Sequence, residues 1–287
     1  MRDIMDRRTF IRVSVAAGAA ALLPAAARSL ATRSDDDLKK GLIEAMKAKG
    51  AYDVRIADPH GFKQALPVPN PFKVGPPLTI WPECRSVVVV IVPYPPVLDN
   101  HLPVEQREAQ LKNGSAGLAA DGASAVFNVY HPLSVRVMSQ ALPAGARFLG
   151  LHGFKAMTSA GGLQVQGKLA AYESGLGVYG RSGLILHREL GNRMVILTLM
   201  TNAELEPDSP DVFETGCDGC GRCVSTCRGN AYGAKAKYPP SYTVTACGQS
   251  RNEVLMNEGG LCQNCFVNCP AARMTDKALT AWLEARV

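Results

Sequence analysis

The chain has 287 residues, 47% hydrophobic and only 20% charged, a globular balance that excludes a disordered or fibrous chain. Its net charge of +6 is concentrated at the start, because five basic and two acidic residues lie in the first 31 positions and leave about +3 for the rest. With no Lys/Arg stripe interleaved with aromatics, that remainder has no electrostatic footprint for nucleic acid, and none is expected as a partner.

Residues 1–12 are polar and basic, Val13 to Leu23 form an apolar core broken by Pro24, and Ala25 to Ala27 or Ser29 to Ala31 offer small residues to a peptidase. That is the order of a secretory signal. The apolar stretch is too short and alanine-rich for a membrane span, which needs about 20 strongly apolar residues. Asp6-Arg7-Arg8-Thr9-Phe10-Ile11-Arg12 resembles the twin-arginine export signature. Residues 1–31 are therefore expected to be a signal peptide read by the twin-arginine export machinery. The folded protein is expected in the periplasm or on the outer face of the cytoplasmic membrane.

After this leader, Asp35 to Lys49 has the marks of a helix: acids at Asp35, Asp36 and Asp37, apolar Leu38, Leu42, Ile43 and Met46, a basic end, and Gly50 as stop. Residues 57–84 are proline-rich and irregular, and Cys84 reads as a buried thiol. Val87 to Val92 is an unbroken β-branched run closed by Pro93, the pattern of a strand buried on both faces. Residues 111–125 are small and polar, a loop or a cap. Helical spacing returns over Pro132 to Leu149 and over Leu163 to Glu173, while Leu184 to Leu186 and Met194 to Met200 read as strands. Helices alternating with buried strands predict an α/β layer architecture. Roughly 185 residues precede the cysteine segment, enough to bury a full core. An electron carrier needs far less, so this domain, 32–212, is expected to hold a substrate or a second cofactor, followed by a separate module over 213–287.

Nine cysteines in an exported protein would first point to disulfides, yet eight lie between Cys217 and Cys269 at metal-ligand spacing. The runs are Cys217-x2-Cys220-x2-Cys223-x3-Cys227 and Cys247-x14-Cys262-x2-Cys265-x3-Cys269-Pro270. C-x2-C-x2-C-x3-C is the bacterial ferredoxin pattern, in which three thiolates wrap one cubane and the fourth reaches across to the other. By that rule one [4Fe-4S] cluster takes Cys217, Cys220, Cys223 and Cys269, and the second takes Cys227, Cys247, Cys262 and Cys265. Zinc ligands usually come as separated C-x2-C pairs, and three cysteines in seven residues crowd one tetrahedral ion poorly. Arg228 stands where the first run often has proline.

Phe154 to Ser159, Gly175 to Leu186, Gly191 to Val195 and Leu205 to Asp208 carry a family likeness, with Glu83 to Ser86 leading into the valine run and the cysteine segment behind. Together they resemble the reductive dehalogenase and epoxyqueuosine reductase superfamily. The resemblance implies an α/β (α+β) corrinoid-binding-like domain followed by a C-terminal bacterial ferredoxin-like two-cluster module. It also implies a cobalamin-type corrinoid fed by both cubanes from a low-potential electron donor. Gly175, Gly177, Gly180 and Gly183 would let the backbone approach the macrocycle, or would serve tight turns. Family members protonate the product with a tyrosine helped by an arginine, and Tyr130 and Arg193 are the matching positions. A phenol beside a guanidinium has its pKa lowered toward a useful range. Equally, Tyr130 would be a surface residue and Arg193 the partner of a carboxylate; Tyr179 is a second tyrosine, better suited to packing.

The export signature places the chain on the dehalogenase side, where relatives dock to a small membrane anchor protein. The expected reaction is two-electron reduction of a small organohalide with halide release. Two alternatives stand beside it: an iron-sulfur electron-transfer protein without corrinoid, and an epoxyqueuosine reductase-like tRNA-modifying enzyme.

Overall fold

The valine run is the centre of the molecule. In the computed structural model, residues 35–62, 75–96, 104, 105, 107, 132–158, 165–232, 244–260 and 262–287 are described. The leader, the 111–125 segment and Tyr130 lie outside them. Ser34–Val287 is one compact unit, and the cysteine segment belongs to it.

Four strands form one sheet in the order β1 (Asp53–Ala57), β2 (Ser86–Pro93), β6 (Met194–Thr201), β3 (Ala156–Thr158). Every pairing is antiparallel, with Val88 opposite Leu199 and Val54 opposite Val90. The expected layering of helices on a buried sheet is present, with antiparallel strands. An unbroken apolar run reports burial on two faces and not strand direction. All eight residues of β2 are buried. Val87, Val89 and Ile91 face α4 (Gly167–Glu173) with Leu169, Ala170 and Ala171, together with Cys84 and Leu279. Val88 and Val90 face α1 (Asp35–Lys47) and, beyond the single turn α2 (Pro77–Ile80) in the chain, α3 (Pro132–Leu151), with Leu38, Leu42, Met46, Ala141 and Leu149. Because alternate strand residues point to opposite faces, a strand in the middle layer must be apolar at every position.

α1 presents Leu38, Leu42 and Met46 at a four-residue spacing and ends before Gly50, whose φ of +90° suits glycine. β1 escapes a sequence reading because Asp53 and Arg55 interrupt Val54 and Ile56 on what proves to be an edge strand. Its outer side is strapped by Asp208: Ile56 N donates to Asp208 Oδ2 at 2.7 Å, and Lys39 Nζ donates to Asp208 Oδ1 at 2.9 Å. This contact steers the segment after Leu205 toward the first cysteine run. A short hairpin of β4 (Val178–Tyr179) and β5 (Ile185–Leu186) lies apart from the main sheet. No helix among the described residues is long and apolar enough to cross a membrane. Leu42 is fully buried between α3 and the sheet, so Leu42→Ala is expected to cost about 3 kcal/mol in a denaturant melt.

Candidate cluster and reductase site

The first cysteine run is laid out by two left-handed glycines. Gly216 (φ +67°) and Gly221 (φ +63°) bracket the single helical turn α5 (Cys217–Cys220), and α6 (Arg222–Ser225) follows directly. These positions favour glycine because a Cβ clashes with the backbone in the left-handed region. The resulting reversals bring Cys217, Cys220 and Cys223 to one recess. The fourth thiol on that recess is Cys269, from the far end of the second run, just after the turn α8 (Asn264–Val267). The quartet expected from the spacing therefore lines one wall.

The other four thiols group around Cys265 in α8. Cys227 and Cys262 lie within electrostatic reach of it, as do Cys247 on α7 (Val244–Glu258) and, from the first quartet, Cys223. Burial pushes the thiols of Cys265 and Cys247 up from the ordinary cysteine range, and neighbouring thiolates raise both further. A hydrogen bond from Tyr232 works against this at Cys265. Tyr232 is itself buried, and its hydroxyl is also within hydrogen-bond reach of Ser182 O, at 2.9 Å. Burial also lowers the Lys168 ammonium, which the Cys265 and Cys247 thiolates partly offset. Such pockets disfavour bare thiolates, and metal ligation is what holds buried cysteines deprotonated. All nine cysteines are free, with no disulfide among them. Cys84 is buried beside the sheet as expected, and burial raises its pKa. Among the described residues, no group of three His, Cys, Asp or Glu side chains closes tightly enough for a single metal ion.

The glycine block does different work from that expected for a macrocycle. A Cβ on Gly175 would stand 2.9 Å from Asp211 N, and one on Gly177 would stand 2.6 Å from Ile185 Cγ2. Both positions are filled by the chain's own crossings, and Gly175 needs its φ of +70° besides. Gly183 N donates to Gly180 O at 2.9 Å and Gly180 N to Leu184 O at 2.8 Å, closing the β4–β5 hairpin. Of the four glycines only Gly180 lines the recess. The tight-turn alternative is the one this geometry supports at Gly175 and Gly177, where a Cβ would meet the chain itself.

That hairpin delivers a residue the sequence reading passed over. Arg181, at its tip, lines the recess of the first quartet beside Ser182. Its Nε is buried without a hydrogen-bond partner among the described residues. The only signal in the sequence was a lone arginine inside the Gly175 to Leu186 block. Arg193, expected to be catalytic, is instead buried against α8 with its donors on backbone carbonyls. Tyr179 is buried and packs at 5.6 Å from Tyr172, as a packing aromatic does.

No protein-family model matches the chain. In sequence it is similar to the epoxyqueuosine reductase of Lactococcus garvieae, 27% identical over 145 residues, which is 50% of this chain and 38% of that protein. It is also similar to that of Listeria monocytogenes, 28% identical over 113 residues, 37% of this chain and 29% of that protein. The chain thus matches less than two-fifths of the length of these curated relatives. An epoxyqueuosine reductase crystallised with an epoxyqueuosine-modified tRNA stem loop superposes with a TM-score of 0.58 at 20% identity, covering 88% of this chain and 69% of that one. The Bacillus subtilis enzyme gives 0.56 at 19% identity, covering 86% and 68%. A reductive dehalogenase described as B12-dependent gives 0.52 at 21% identity, covering 84% and 33%. The fold is common to both branches, and the sequence matches fall on the epoxyqueuosine side. These comparisons do not favour the exported dehalogenase branch over the other, and the tRNA complex of a protein with this fold stands against the expectation of no nucleic acid. The chain therefore has the fold shared by epoxyqueuosine reductases and reductive dehalogenases, and is related in sequence to the former over half its length.

Proposed function

We propose that this protein is an iron-sulfur reductase of the epoxyqueuosine reductase type. Cys217, Cys220, Cys223 and Cys269 hold one [4Fe-4S] cluster; Cys227, Cys247, Cys262 and Cys265 hold the other. The observation that carries this reading is the meeting of the first three cysteines with Cys269 on one recess, the crossover that two-cluster ferredoxin spacing requires. Cubanes, when bound, supply single electrons at low potential.

The reaction class follows from the sequence relatives. Reducing an epoxide to an alkene takes two electrons and two protons; both carbon–oxygen bonds break and the oxygen leaves as water. Arg181, whose Nε is buried without a hydrogen-bond partner among the described residues, is the cation beside the first quartet that would stabilise negative charge developing there, because a partly desolvated site strengthens such an interaction over water. A cobalamin-type corrinoid would need room that the chain's own crossings take up at Gly175 and Gly177. Cobalt analysis after reconstitution with cobalamin tests whether one binds elsewhere.

The second reading, reduction of an organohalide by an exported enzyme, is favoured by the Arg7-Arg8 signature. One experiment separates the two. The chain is reconstituted anaerobically with iron, sulfide and cobalamin, then offered an epoxyqueuosine-bearing tRNA stem loop or an organohalide panel with a low-potential reductant. Conversion of the modified nucleoside supports the first reading; halide release, with the cleaved chain found in the periplasm, replaces it by the second. Arg181→Met is expected to keep its full iron and to lower kcat/KM by at least about tenfold, near 1.4 kcal/mol of transition-state stabilisation. Unchanged turnover in that variant would remove Arg181 from the chemistry.

A further inference from the structure

Arg193 is 5% exposed and lies over the Phe266 ring, 4.5 Å from its centroid. Its guanidinium donates to Phe266 O and, at 3.0 Å, to Val267 O. Asn192 adds a second donor to Phe266 O at 3.1 Å, and its own Oδ1 accepts from Arg193 at 3.3 Å. The carboxylate in contact is Asp276, 3.3 Å away and half exposed. Phe266 and Val267 are the last residues of α8, whose end turns two carbonyls toward Arg193; Phe266 O accepts from Cys269 N at 3.4 Å as well. A planar guanidinium fork reaches both carbonyls at once, which an ammonium does not.

The place of that turn gives the contact its meaning. α8 contains Cys265, and Cys269 follows two residues beyond its end. One short segment thus presents a thiol to each group of four. Gly191, just before the pair, brings the backbone so close to this segment that a Cβ there would lie 2.6 Å from Ala272 Cα. Tyr94 N donates to Arg193 O at 2.9 Å, tying the pair back to the end of β2.

We propose that Arg193 and Asn192 are positioning residues that set the spacing between the two cluster sites, by gripping the α8 carbonyls between Cys265 and Cys269. The inference rests on the two-cluster reading above. Its functional consequence is the rate of electron passage between the cubanes, which falls steeply with their separation.

The test uses the full chain, reconstituted anaerobically with iron and sulfide, as wild type and as Arg193→Met, Arg193→Lys, Asn192→Ala and Asp276→Ala. Iron per chain is measured together with the EPR spectrum of the reduced protein, in which two nearby cubanes split each other's signals. Both Arg193 variants are expected to weaken iron retention at the two sites together, by about 10–100-fold in affinity, the range seen when a residue supporting metal ligands is lost. The lysine should not rescue. Asn192→Ala removes one carbonyl bond and should keep both cubanes while altering the splitting. Asp276→Ala should change neither quantity. Full iron and unaltered splitting in Arg193→Met, whatever its turnover, would overturn the proposal, as would unaltered splitting in Asn192→Ala should the Arg193 variants fail to fold. A wild-type chain that retains no iron would instead sink the two-cluster reading itself.

Discussion

Cys269→Ser is expected to empty the recess built by the first cysteine run, although Cys269 belongs to the second. Iron should fall from about eight to about four per chain, and turnover should become undetectable. Cys269 shares its recess with Cys217, Cys220 and Cys223, whereas Cys265, four residues earlier, stands with Cys262, Cys227 and Cys247. Cys265→Ser should therefore leave the complementary four irons, and EPR on the two half-loaded proteins should show different cubanes. Cys84→Ser, buried away from both groups, should retain all the iron. If Cys269→Ser and Cys220→Ser removed different clusters, the crossover would be wrong and each run would serve its own site.

Gly191→Ala is expected to be strongly destabilising. Two independent costs fall on it. The residue has a φ of +56°, a conformation that costs an alanine roughly 1 kcal/mol or more. The added Cβ would also stand 2.5 Å from Ala271 C and 2.6 Å from Ala272 Cα. Backbone atoms cannot step aside as a flexible side chain does. Together these should cost about 3–5 kcal/mol, a large part of a domain's stability. The displaced segment is the one that carries Cys269, so iron retention should fall with the melting temperature. Gly150→Ala is the control: no atom lies within 4 Å of a Cβ there, and inside α3 alanine is the better helix former. That variant should melt at or above the wild-type temperature.

Local chemistry was legible from the chain alone wherever a residue's role is decided by its neighbours in sequence. The acidic start and Gly50 stop of α1, the two-sided burial of Val87 to Val92, and the course of α3 and β6 all rest on periodicity and end signals. The proposed partition of eight thiols into two quartets rests on the spacing of ligands around a cube, and the fold brings the first quartet to one recess. β1 and β3 escaped notice because a five-residue and a three-residue strand at sheet edges have little periodicity to display.

What needed the folded molecule was everything decided by approach across long sequence distances. Strand direction was one such property, since an apolar run is the same read in either direction. The glycines of the Gly175 to Gly183 block were another. From the sequence they are equally free space for a macrocycle or room for the chain's own crossings, and only the carbonyls and side chains of residues 185–211 show which. Arg181 and Arg193 are the sharpest pair: two arginines twelve residues apart, chemically identical as letters. One ends at a hairpin tip beside the first thiol recess with an unpaired nitrogen, and the other is clasped over the carbonyls of α8. A cation's role depends on what lies within a few ångströms of it, and those neighbours come from segments dozens of residues away that only packing brings together.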